Sequence, residues 1–205
     1  MSGRLEVAAT VLLAVAAVAT AWSSYQATRW NGEQAKAAAG ANASRISAAR
    51  AQGLSEAQKQ VDVATFTQWV NAYARDETEL ATFYFRRFRA EFKPAVDAWV
   101  ASKPRKNPSA PLTPFAMPQY HLAAADEAAR FDAKAEAGAA AARLDIQRAS
   151  NYILGVVLCA VSLFFAGIST KLVSERLRLF TLSLGWIVFA GTLIWIASSP
   201  VSLSV

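Results

Sequence analysis

The 205-residue chain has one cysteine, one histidine and no glycine-rich phosphate loop. A lone Cys159 supports no disulfide framework and says nothing of the redox compartment. His121, the single histidine, excludes histidine-cluster metal sites, and Cys159 lies in an apolar run where no Cys–His pair can form. Charge is missing over long intervals. No charged side chain occurs in 7–28, 149–170 or 179–205. Each interval meets or exceeds the ~20 residues a helix needs to cross ~30 Å of hydrocarbon. Inside these spans there is no acid or base of the kind that proton- or ion-coupled transporters carry.

The second and third intervals are rich in Leu, Ile, Val, Phe and Trp and predict a C-terminal transmembrane hairpin, spans 151–170 and 179–198. The first, over 1–22, is alanine-rich. With Arg4, a short apolar core and Ala17-Val18-Ala19 it imitates a signal peptide. Trp22, Tyr25 and Trp30 follow at once, as interfacial aromatics do, so it reads as a retained span. Arg4, Lys171, Arg176 and Arg178 crowd into short segments on one side of three spans, which makes that side cytoplasmic and 23–150 extracytoplasmic. The formal charge of +6 is no nucleic-acid signature, because 23–150 holds 17 Lys/Arg against 13 Asp/Glu spread over a long polar region.

Between the spans the sequence is alanine-rich and reads as helix almost throughout. Gly53 suggests a helix stop, and Ser55 with Gln58 a capping box that starts a second helix running to Phe92. Pro94 then bends or breaks it. Residues 103–118 hold five of the seven prolines and predict an extended strap. A third helix from Tyr120 runs without a break into the second span. The expected fold class is all-α: an integral membrane protein with three transmembrane helices and an extramembrane bundle of long helices. In that scheme the second helix descends and brings 83–92 to the lipid headgroups.

That stretch, FYFRRFRAEF, has five aromatics and three arginines in ten positions. On one helix Tyr84, Phe85, Phe88 and Phe92 fall within ~100° and read as core. Arg86, Arg89 and Lys93 form a neighbouring stripe, and Arg87 lies outside both. These cations, with Trp22, Tyr25 and Trp30, are the candidate membrane-surface contacts. No nucleic-acid-binding fold accompanies them.

Other candidates are weaker. Asp76, Glu77 and Glu79, and the pair Asp132 and Glu136, read first as solvated helix faces and only second as a cation site or carboxylate pair. Thr10, Ala17, Thr20, Ala21 and Ser23 can line a pore or let helices pack closely.

The opening AWSSYQATRWNGEQ after a span, RLDIQRASNYILGVVLCAVSLFFAGIS, a basic turn and LSLGWIVFAGTLIW together resemble a group of uncharacterised bacterial membrane proteins. In that group a helical region of unknown function separates one N-terminal span from a C-terminal pair. The resemblance covers about the first 50 and last 65 residues, implies a multi-pass protein of the bacterial inner membrane, and brings no catalytic residue. The chain therefore reads as a non-enzymatic membrane scaffold, without cofactor or metal. Its expected partners are the lipid bilayer and a second copy of itself or another membrane protein, not nucleic acid. An oligomeric channel lined by the first span and an extracytoplasmic ligand sensor are the alternatives.

Overall fold

Residues 2–202 are described by a computed structural model of the chain. They form five α-helices and no strand: α1 (Ser2–Ala74), α2 (Thr78–Arg87), α3 (Lys93–Ala101), α4 (Ala123–Ser169) and α5 (Glu175–Ala197). Helices α1, α4 and α5 are long and apolar enough to cross a membrane. The chain divides into two units, Met1–Ala41 with Ala137–Val205 and Asn42–Glu136. Helices α1 and α4 contribute to both.

The stop expected at Gly53 is not there; α1 is one helix of 73 residues. A glycine inside a helix is less favourable than alanine by ~1 kcal/mol, and good helix formers surround this one. The buried side of α1 continues across it through Ala48, Ala51 and Ser55, and Gln52 donates to Glu56 at 3.1 Å one turn on. Ser55 is buried on that side and caps nothing. The helix stops later, at a Schellman motif. Asp76 takes the left-handed conformation at φ 59°. Its N–H donates to the Tyr73 carbonyl, and Glu77 N–H donates to that of Ala72.

The helix expected from Ser55 to Phe92 is thus the end of α1, a turn and α2. Phe88, at ψ 143°, leaves the helical path. Pro94 neither bends nor breaks a helix but sits in the first turn of α3, where its fixed φ suits and its missing N–H is no loss. The strap is also not extended. Residues 103–118 fold through turns and a 3-10 turn, Pro114–Ala116, with Pro114 buried. Trp99 Nε1 donates to the Pro111 carbonyl at 2.7 Å and ties the segment to α3. One long helix enters the second unit and one leaves it, so the single second helix expected from Ser55 to Phe92 is not formed.

The first unit packs α1, α4 and α5 through small side chains: Ala9, Ala16, Cys159 and Ala166 are essentially inaccessible. At the crossing of the three helices, a Cβ on Gly185 would stand 3.2 Å from Leu12 Cδ2 and 3.2 Å from Phe165 Cβ. Leu12, Leu182 and Phe189 fill in among them, while other large apolar side chains point outward, with Phe180 69%, Ile187 68% and Ile194 73% exposed. That distribution suits a lipid surround. The second unit buries Phe66, Trp69, Phe88, Phe92, Val96 and Trp99 in one cluster.

Candidate functional site

The aromatic core of the second unit rests on α1. Phe66, Trp69 and Ala72 fall at spacings of three and present one face to α2 and α3. Phe92 is fully buried, stacked on Phe115 at 5.1 Å and edge-on to Phe88, Phe66 and Tyr120. The aromatic stripe of FYFRRFRAEF is therefore core, although the chain turns at Phe88 instead of continuing as helix. Tyr84 and Phe85 pack against the same cluster from its edge.

A buried ionic cluster borders this core. Asp62, inaccessible on α1, accepts from Arg89 at 2.9 Å and from the Tyr120 hydroxyl at 3.3 Å, both on Oδ2. Arg89 also pairs with Glu91. Asp62 Oδ1 is buried with no hydrogen-bond partner, as is Gln58 Oε1 one turn earlier. Burial raises the Asp62 carboxyl above the usual carboxylate range, against the lowering influence of Arg89. Burial and then the nearby Asp62 charge push the Tyr120 phenol up to about 12. Sequence reading placed Arg89 on a wet stripe and missed Asp62 altogether. A single aspartate in VDVATF gives no signal of a partner 27 residues away.

The other candidate cations divide. Arg86 is exposed. Arg87 lies 3.4 Å over the Phe83 ring and donates to the Phe83 carbonyl at 3.1 Å. Lys93 Nζ donates to the Arg86 carbonyl at 3.3 Å. In the first unit Trp22 and Tyr25 are exposed, with ring centroids 6.0 Å apart. Trp30 is buried, and its Nε1 donates to the Pro200 carbonyl at 3.1 Å. Tyr152 Oη donates to the same carbonyl at 3.1 Å, and Ser202 N–H donates to Gln26 Oε1 at 3.0 Å. Trp30 thus helps clasp the segment after α5. Of the candidate pore-lining residues, Ser23 is buried, Thr20 bonds back to the Ala16 carbonyl at 2.7 Å, and Ala17 and Ala21 face outward. Thr10, Ala17 and Ala21 share one exposed face of α1, from which the buried Ser23 points away.

No protein-family model matches this chain, and no curated protein or solved structure shows significant similarity to it. The site must be read from its own chemistry. The second unit has a concavity of about 510 Å³ lined by Tyr73, Trp99, Val100, Lys103, Pro104, Arg105 and Lys106. Tyr73 stacks on Trp69 at 5.0 Å with the rings 14° apart, so one wall continues into the core. The Arg105 guanidinium lies 5.8 Å from the Tyr73 ring centre. Such a size falls within the ~300–1,000 Å³ of small-molecule sites. Sequence analysis took KPRK only as part of a strap. What it lacked was the end of α1, which brings Tyr73 beside it.

Proposed function

We propose that the chain is a non-enzymatic membrane-anchored docking protein of the bacterial inner membrane, which associates with a second copy of itself through its helical region. The observation that carries this reading is a second, unburied apolar face on α1. Ile46, Leu54 and Val61 are each more than half exposed, at 55%, 53% and 52%. At 100° per residue they lie within ~80° of one another and away from the face that meets the core. Ala43, Ala57 and Ala64 share their arc and permit close approach of a second helix. The orientation follows from Arg4, Lys171, Arg176 and Arg178, with the second unit extracytoplasmic.

The test is an oligomer count in native-like lipid, combined with single cysteines in a Cys159→Ala background. Ile46→Cys and Val61→Cys should each cross-link to a second copy. A lone protomer per lipid particle, or cross-linking absent at both positions, would end the reading. In the same background an impermeant thiol reagent on intact cells should label Ser109→Cys and spare Ser174→Cys; the reverse pattern inverts the topology.

One observation favours a second reading, an extracytoplasmic ligand sensor: the cavity of about 510 Å³ beside Tyr73 and Trp99. A change in cross-linking at Ile46→Cys on addition of a ligand that occupies the cavity would support it.

A further inference from the structure

We propose that the cavity beside Tyr73 binds a small soluble organic anion: a phosphate or carboxylate head carrying a flat or apolar body. The inference stands apart from the docking reading and supplies a ligand class to the sensor one.

The charge argument comes first. Lys103, Arg105 and Lys106 line one cavity, and among the described residues none of them is within ion-pair distance of a carboxylate. Three like charges held together repel each other, and an anion relieves that repulsion. Elsewhere in this unit the buried cation is matched: Arg89 has both Asp62 and Glu91. What sets Lys103, Arg105 and Lys106 apart from the other exposed cations of this unit is that all three line one concavity.

The second argument is the backbone. Lys103 follows the C-cap Ser102 of α3 and has φ 53°. This is the left-handed position that helix ends normally give to glycine, because a Cβ there is strained. The motif is also half-made. Lys103 N–H reaches the Val100 carbonyl at 3.0 Å, but the next residue, Pro104, has no N–H to complete it. A lysine followed by a proline is thus a poor choice for ending a helix. It does set a cation at the rim of the cavity and turns Arg105 and Lys106 toward the same side. Strain retained where a cheaper residue exists points to use.

The third argument is the floor. Tyr73, 39% exposed, offers ring surface, and the nearly buried Trp99 backs the site, held by its bond to the Pro111 carbonyl at 2.7 Å. Inorganic phosphate would leave that surface unused. A ring or short apolar body on the anion would cover it, so the ligand is an organic anion and not a bare one.

The experiment is calorimetric titration of the full chain in zwitterionic lipid nanodiscs, with empty nanodiscs subtracted. The probes are 1-naphthyl phosphate, inorganic phosphate and 1-naphthylmethylammonium, which has the same ring and the opposite charge. Naphthyl phosphate should bind with Kd below ~1 mM, inorganic phosphate at least ~tenfold more weakly, and the ammonium probe not at all. Lys103→Gly should weaken binding of naphthyl phosphate about fivefold, one exposed charge-assisted contact, while melting at or above the parent temperature. Adding Arg105→Ser and Lys106→Ser should abolish it. No heat from naphthyl phosphate at millimolar concentration would overturn the proposal. So would equal binding of the ammonium probe, or an affinity unchanged by the variants. None of these outcomes bears on the oligomer count, so the docking reading stands or falls separately.

Discussion

Between α1, α4 and α5 the first unit closes on Ala9, Ala16, Cys159 and Ala166 with Leu12, Leu182 and Phe189 between them, whereas the second unit closes mainly on the rings of Phe66, Trp69, Phe88, Phe92 and Trp99. Both use helix α1, yet small residues make up more of the first core and aromatic rings more of the second. In hydrocarbon a large apolar side chain gains little by leaving the lipid, so helices gain most by approaching closely, and small residues allow that. In water each aromatic ring removes a large apolar area from solvent, and the core fills with rings. The outward Phe180, Ile187 and Ile194 of the first unit complete the contrast. The greater share of small residues in the first core thus goes with its three helices being long and apolar enough to cross a membrane.

Six substitutions break or sharpen this contrast, taken from the largest expected effect. Phe92→Ala empties the centre of the aromatic core and should destabilise the second unit by about 3–5 kcal/mol, read as a lower melting temperature. Melting like the parent would mean that the rings do not hold this unit together. Arg89→Ala leaves Asp62 buried without its cation and should cost about 3 kcal/mol, whereas the exposed Arg86→Ala should stay within about 0.5 kcal/mol. The comparison of the two arginines by denaturant melts separates structural charge from surface charge within one decapeptide.

Gly185→Leu probes the other unit. A side chain there meets Leu12 and Phe165, so overpacking should cost about 1–3 kcal/mol and appear as loss of the folded fraction in detergent titration. It should leave the aromatic unit's own transition in place. A single shared loss of both transitions would show that the two cores do not respond separately.

The smallest effect is in the pH profile. The Tyr120 phenol is raised to about 12 in the folded chain, so its contribution to stability is complete below pH 10 and is lost as pH rises from 10 towards 12. Tyr120→Phe should flatten that alkaline slope. Asp62 is raised as well, so its contribution is present below the usual carboxylate range and is lost as pH rises through its folded value. Asp62→Asn should remove that acid-side dependence. Melting curves of parent and variant that stay parallel across both ranges would remove the ionic cluster from the account.

Much of this was legible in the chain itself. Three uncharged intervals of spanning length and an alanine-rich, glycine-poor middle determined an all-helical protein with three membrane-length helices. The aromatics of FYFRRFRAEF were readable as core because aromatic side chains gain too much by burial to stay wet in a row. Local signals misled where they competed with packing. Gly53 and Ser55 carry the marks of a helix end, but the buried face of α1 runs on through them. Pro94 carries the mark of a break, but its chemistry equally suits a start.

Only the tertiary structure decided what the charged and polar residues do. Helix periodicity assigns a residue to a face without saying what that face meets. Arg89, Arg86 and Lys93 shared a stripe by arithmetic, and only the turn at Phe88 separated the arginine that enters the core from the one that stays in water. Trp30 looked like its neighbours Trp22 and Tyr25 until Pro200 came within 3.1 Å of its indole nitrogen. Tyr73 and Lys103 lie 30 positions apart, and the cavity between them exists because α1 ends at a left-handed Asp76 and α3 at a left-handed Lys103. Local sequence sets which backbone states a residue tolerates. Which distant side chain waits at the other end of the turn is set by the packing of the whole unit.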